Sequence, residues 1–137
     1  MLKVTADCLP VALARMNGRP RLAVLHAGRL GLLDGIVGAG IAALDGPSVA
    51  VIGPGIGPCC YEVGEEIRSA FKTRFDRGVV RGRNLDLWGA CELALREAGV
   101  KVVERTDLCT ACNSSLFFSH RRDHGVTGRQ GVIAYVA

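Results

Sequence analysis

The sequence predicts a mixed α/β (α+β) domain, a β-sheet core with helices packed on its faces. Three observations carry the prediction. Short apolar runs of period-two or continuous character recur along the chain. Three longer segments carry apolar residues at the 3.6-residue period. An Asn–Gly pair joins two of the short runs.

Leu2–Ala6 is the first strand-like run. Val11–Ala14 and Leu22–Leu25 follow, and Asn17–Gly18 between them is a hairpin signal, so this edge of the sheet reads as antiparallel. A helix is expected over about Leu30–Leu44, where Leu33, Ile36, Val37, Ile41 and Leu44 keep the helical period. Gly28, Gly31, Gly35, Gly38 and Gly40 lie in or just before it. Glycine weakens a helix, so close packing against another backbone is the expected compensation. Val49–Ile52 reads as a strand. A second helix is expected over Glu65–Phe75, with Ile67, Ala70, Phe71 and Phe75 on one face and Glu65 and Glu66 at its positive end. A third runs from about Leu85 to Ala98, with Asn84 as candidate N-cap and Gly99 as C-cap. Leu87, Cys91 and Leu95 line its buried side, so Cys91 reads as core. Val102–Val103 and Val132–Val136 complete the strands.

The 137 residues suit one domain spanning 1–137, and a chain of this size buries roughly two-thirds of its unfolded surface without staples. Hydrophobic residues make up 49% and charged residues 22%, a globular balance. The net charge of +4 is mild and no basic block runs through aromatic residues, which argues against nucleic acid and suits a small anion such as phosphate. The start, MLKVTADC, has no long apolar signal core, and the longest uncharged run, Gly46–Tyr61, holds three prolines. The expectation is a soluble cytoplasmic protein without a membrane partner, whose six cysteines are reduced.

Three segments carry candidate chemistry. Cys8 and His26 fall at strand ends, and a thiolate with an imidazole suits zinc, with copper as the lesser alternative. A catalytic zinc usually takes three protein ligands, and a lone thiol and imidazole also serve as ordinary packed groups. In Gly53–Gly64, GPGIGPCCYEVG, the connection is either a stiff strand-to-helix link or a pocket wall with Cys59 or Cys60 facing inward. In Phe117–Arg129, FFSHRRDHGVTGR, the arginines match phosphate geometry, or form a solvated loop with Arg121 paired to Asp123. The CTAC pair at Cys109 and Cys112 is a single CxxC, and a structural zinc knuckle needs two further ligands.

Taken together, TADCLPV, HAG with GLL, GPGIGPCCYEVGEEI, LDLW, LCTAC and FFSHRRD with TGR occur in that order from Thr5 to Arg129. This resembles the YfiH-like proteins, long labelled multicopper polyphenol oxidases or laccase-domain proteins. The resemblance implies a mixed-sheet fold of the cysteine-hydrolase type and zinc-dependent purine nucleoside phosphorylase chemistry with adenosine deaminase activity. The substrates it implies are adenosine, inosine and methylthioadenosine, with phosphate. It makes Cys8 and His26 metal ligands. The family's third ligand is a histidine in an upstream QVHG motif, which this sequence does not contain, so the match is to a form short at its N-terminus. Two further departures stand out. The family usually reads HAGWRG where this chain reads HAGRLG, which sets Arg29 in the tryptophan position and Leu30 in the arginine position. His120 stands where the family often has tyrosine.

On this reading Arg121 and Arg122, with Arg29, take the phosphate charge, and Asp7 either orients a ligand or moves a proton, if it is not simply a turn contact. Two other classes stay open: a catalytically silent homologue binding a nucleoside or a partner, and a metal-free hydrolase acting on amino-acid linkages of cell-wall precursors through Cys8 and His26. A homo-oligomer that supplies the missing ligand also stays open. A multicopper oxidase is chemically implausible, because its copper centres consume many histidines and the chain has three.

Overall fold

The hub of the fold is the apolar run around Val11. A computed structural model, describing residues 1–46 and 49–137, shows β2 (Leu9–Arg15) as a central strand in which Leu9, Val11 and Leu13 are fully buried. β3 (Arg21–Ala27) pairs with it antiparallel through the Asn17–Gly18 turn, Arg15 facing Arg21 and Leu9 facing Ala27. On its other edge β2 pairs antiparallel with β4 (Val49–Ile52), and β4 pairs parallel with β7 (Val102–Arg105). The sheet order is therefore β3-β2-β4-β7, mixed as expected, with the antiparallel edge where the hairpin signal put it.

The first and last strands form their own ribbon. β1 (Leu2–Thr5) pairs antiparallel with β8 (Gln130–Ile133), Leu2 opposite Ile133. Both are shorter than the apolar patterns suggest. β1 ends at Thr5 because Asp7 turns the chain at φ 88°, and β8 starts two residues early and stops at Ile133.

The long first helix is two. α1 (Arg29–Leu33) and α2 (Ile36–Ala43) are broken at Asp34–Gly35, where Gly35 takes φ 83°. The apolar period runs across the break, which is why the sequence reads as one helix. Packing explains only some of the glycines. A Cβ on Gly40 would lie 2.8 Å from Leu25 Cδ2, so that glycine does admit close contact, though with side chains rather than backbone. Gly38 faces open space.

α3 (Glu65–Phe75) keeps its expected bounds, with Phe71 and Phe75 buried, and is followed by a 3-10 turn at Arg77–Val79. A small hairpin, β5 (Val80–Arg81) with β6 (Asn84–Leu85), precedes α4 (Leu87–Glu97). The N-cap is Asp86, not Asn84: Asp86 Oδ1 accepts the Gly89 N–H at 2.9 Å, while Asn84 lies in β6 and donates to the Pro58 carbonyl at 2.7 Å. At the other end the cap is Ala98, and Gly99 sits one position beyond at φ 89°. Leu87, Cys91 and Leu95 are buried against the sheet as the period requires, and burial pushes the Cys91 thiol up to about 12.

α1, α2 and α4 touch one another and the sheet. Burial along β4 alternates, with Ala50 and Ile52 buried while Val49 and Val51 are 41% and 43% exposed. Among the described residues no helix is long and apolar enough to cross a membrane.

Candidate functional site

The β2–β3 register builds a cleft at one end of the hairpin. His26 lies opposite Pro10 and Ala27 opposite Leu9, so continuing the pairing brings Cys8 beside Gly28. A Cβ on Gly28 would come within 2.8 Å of Cys8 Sγ, so the glycine leaves the space the thiol occupies. Cys8, His26, Gly28, Arg29, Leu30, Gly31 and Tyr61 line a cleft of about 300 Å³. The two residues singled out at strand ends thus share one concave site, with Cys8 half-buried and His26 exposed. Burial and the adjacent Asp7 carboxylate push the Cys8 thiol up, against a smaller opposing effect of Arg29.

Tyr61, which the sequence reading passed over, is the residue of the GPGIGPCCYEVG segment that lines this cleft. Its hydroxyl accepts from Arg29 Nη1 at 3.3 Å, and the Arg121 guanidinium stacks over its ring at 5.1 Å. Two guanidiniums therefore flank one buried tyrosine. Arg121 Nη1 also donates to the Glu62 carbonyl at 2.6 Å.

Asp7 and Arg122 hold the frame. Asp7 is buried, and its carboxylate accepts from Thr110 Oγ1 at 2.6 Å and from the Arg121 backbone N–H at 2.7 Å. It fastens the segment before β2 to the two late loops. Arg122 pairs with Asp123 through Nε at 2.8 Å and Nη2 at 2.9 Å, and its other N–H groups reach the carbonyls of Thr110, Ala111 and Phe117. It is Arg122, not Arg121, that pairs with Asp123, and the bonded fork leaves Arg122 no free donor for an anion.

Cys59 and Cys60 do not line the cleft with Cys8. They meet Cys109 and Cys112, and the four Sγ atoms all lie within 4.8 Å of one another. The CC pair brings two further thiols beside those of the CTAC motif. This cluster can hold a metal ion. Around it Cys59 and Cys60 are pushed up, first by burial and then by hydrogen bonds with Cys112, Cys59 to about 11. Cys109 moves the other way: its burial is more than offset by the backbone N–H groups of Gly57 and Cys112 together with the side-chain hydrogen bonds of Cys59 and Cys112. Single-sequence spacing could have suggested this only if CC and CxxC were read as halves of one site.

A mixed-sheet α+β domain with a thiol–imidazole cleft and a separate four-thiol cluster is the class the fold and site define. Solved structures share the fold. The crystal structure of YfiH from Bacillus licheniformis superposes with a TM-score of 0.87 at 31% identity, covering 95% of this chain and 55% of that one. Neisseria meningitidis protein NMB0706 gives 0.85 at 34%, covering 95% and 57%. In sequence, a purine nucleoside phosphorylase of Xylella fastidiosa strain 9a5c is 38% identical over 146 residues, 97% of this chain and 55% of the relative. The purine nucleoside phosphorylase YfiH of Escherichia coli K12 is 35% identical over 135 residues, 92% of this chain and 55% of that protein. The chain spans about half the length of these relatives. Residues 1–137 match the family described as multi-copper polyphenol oxidoreductase laccase, and the chain belongs to that family.

Proposed function

We propose that this chain carries a large part of the catalytic cleft of a purine nucleoside phosphorylase, cleaving adenosine, inosine and methylthioadenosine with phosphate and deaminating adenosine at the same site. The observation that carries the reading is the lining of one cleft by Cys8, His26, Arg29 and Tyr61, in a chain whose relatives bear that name.

The donor chemistry suits zinc: Cys8 and His26 would be two ligands, and zinc would act there as a Lewis acid. Among the described residues no third histidine, cysteine or carboxylate completes a cluster with them. The chain's own residues have definable roles. The Arg29 guanidinium, steadied by the Tyr61 hydroxyl, offers charge-assisted donors to a phosphate oxygen as the phosphate adds at the ribose anomeric carbon and the purine leaves. Arg121 adds positive charge from the other side of Tyr61. Asp7 acts as a positioning residue, because its carboxylate holds the Arg121 backbone.

The test is incubation of zinc-replete protein with adenosine, with and without phosphate, resolving adenine, inosine and ribose phosphate. Adenine and ribose phosphate are expected only with phosphate, and inosine in either case. Arg29→Ala should lower phosphorolysis about tenfold or more, the loss of one charge-assisted hydrogen bond, and spare deamination. Absence of every product would overturn the enzymatic reading and leave a nucleoside- or partner-binding homologue.

A further inference from the structure

We propose that Cys59, Cys60, Cys109 and Cys112 bind one zinc ion as a tetrathiolate, a structural centre distinct from the Cys8–His26 cleft. The distances carry the proposal. Zinc holds thiolates at about 2.3 Å in a tetrahedron, whose edges are then about 3.8 Å. The four sulfurs already lie within 4.8 Å of one another, with Cys60–Cys112 at 3.3 Å and Cys59–Cys112 at 3.5 Å. These separations are far beyond a disulfide bond of about 2.05 Å. They also favour a single ion over an iron–sulfur cluster, where the cysteines sit on different iron atoms and stand further apart.

The local backbone explains how adjacent cysteines can both point at one centre. In a strand Cys59 and Cys60 would face opposite ways. Here they lie in a turn, with the N–H groups of Cys60 and Tyr61 both bonded to the Gly57 carbonyl at 3.0 Å. The opposite pair sits on another turn, closed by the Asn113 N–H on the Cys109 carbonyl at 3.1 Å. Gly57 N–H donates to Cys109 Sγ at 3.3 Å, the kind of N–H···S support that orients a metal-bound thiolate. Gly57 is itself pressed against Trp88, where a Cβ would lie 2.5 Å from the ring. A metal here would clamp the Gly53–Gly64 connection, which carries Tyr61, to the loop that carries Thr110.

The test uses the full chain purified under reducing conditions without added metal. Elemental analysis of the Cys8→Ala/His26→Ala double variant should find close to one zinc per chain, lost when Cys112→Ser is added to it. Because Cys112→Ser could disturb folding, the unaltered protein is also loaded with cobalt(II). Intense sulfur-to-cobalt charge-transfer absorption with tetrahedral visible bands is expected, and it should persist in the double variant. Zinc that disappears with Cys8 and His26 but survives Cys112→Ser would overturn the proposal. So would protein that takes up neither zinc nor cobalt at these thiols. Neither outcome depends on turnover, so failure here is separable from failure of the phosphorylase reading.

Discussion

Asp7 shows how much one residue can be asked to do. It takes a positive φ, turns the chain between β1 and β2, and spends both carboxylate oxygens on partners more than a hundred positions away. Its carbonyl accepts the Ile56 N–H as well, at 2.8 Å. Asp7→Asn keeps the shape and tolerates the backbone, but puts an amide NH2 against one of two donors. It should cost about 1–3 kcal/mol, read as a lower urea midpoint at unchanged slope. The sequence offered Asp7 as either chemistry or a turn contact. The turn was legible from its residue type, whereas its partners Thr110 and Arg121 were not, because only the closed fold brings them near. Cys91 is the contrasting case: its place on a periodic apolar face was enough to identify it as core, because helical periodicity is local information. Tyr61 escaped notice because a lone tyrosine beside two cysteines carries no pattern of its own.

At the scale of elements, the glycines of the α1–α2 segment separate three physical effects that composition merges. Gly38→Ala adds a methyl group to open space in a helix and should stabilise by about 0.5–1 kcal/mol. Gly35→Ala also meets nothing, but forces a left-handed conformation and should cost roughly 1–2 kcal/mol. Gly40→Ala drives a Cβ into Leu25 and Leu13 and should cost about 1–3 kcal/mol by overpacking. Thermal melts of the three variants give the order directly. The loop at Phe117–Arg129 has its own signature in acid. Arg122, and then Thr127, hold the Asp123 carboxyl down at about 2 from its ordinary 3.8. A lowered carboxyl value stabilises the fold above 3.8, and that contribution is lost as the pH falls towards 2. The stability gap between the native chain and Asp123→Asn should therefore close across that window, measured by denaturant titration at each pH. Element types were legible from periodicity and the Asn17–Gly18 turn. Bounds moved where a backbone twist that no apolar pattern records intervened, as at Gly35 and at Asp86.

At the scale of the whole molecule, the parallel pairing of β4 with β7 decides where the chemistry falls. The register sets Ile52 opposite Arg105, and the chains run on together so that Gly55 bridges Cys109. That alignment delivers the CC turn to the CTAC turn. Two motifs that are each incomplete become one cluster through a pairing between distant strands, which spacing along a single sequence does not encode. The cleft is different: Cys8 and His26 sit at the ends of one hairpin, so the local Asn17–Gly18 signal already implied their proximity. The four-thiol cluster and the cleft also share a strut, since Cys60 and Tyr61 are neighbours facing different sites.

The β1–β8 ribbon has a consequence for how the chain could be rewired. The Met1 amine donates to the Ala134 carbonyl at 2.6 Å, so residues 1 and 134 lie side by side. A short flexible linker can join them, and the exposed turn at Gly18, whose Cβ position meets nothing, offers a place to cut. Such a circular permutant should fold to the same sheet order with cooperative melting, because the ribbon would turn from a meeting of loose ends into a continuous hairpin. The order in which the residues are strung would change, and the architecture would not.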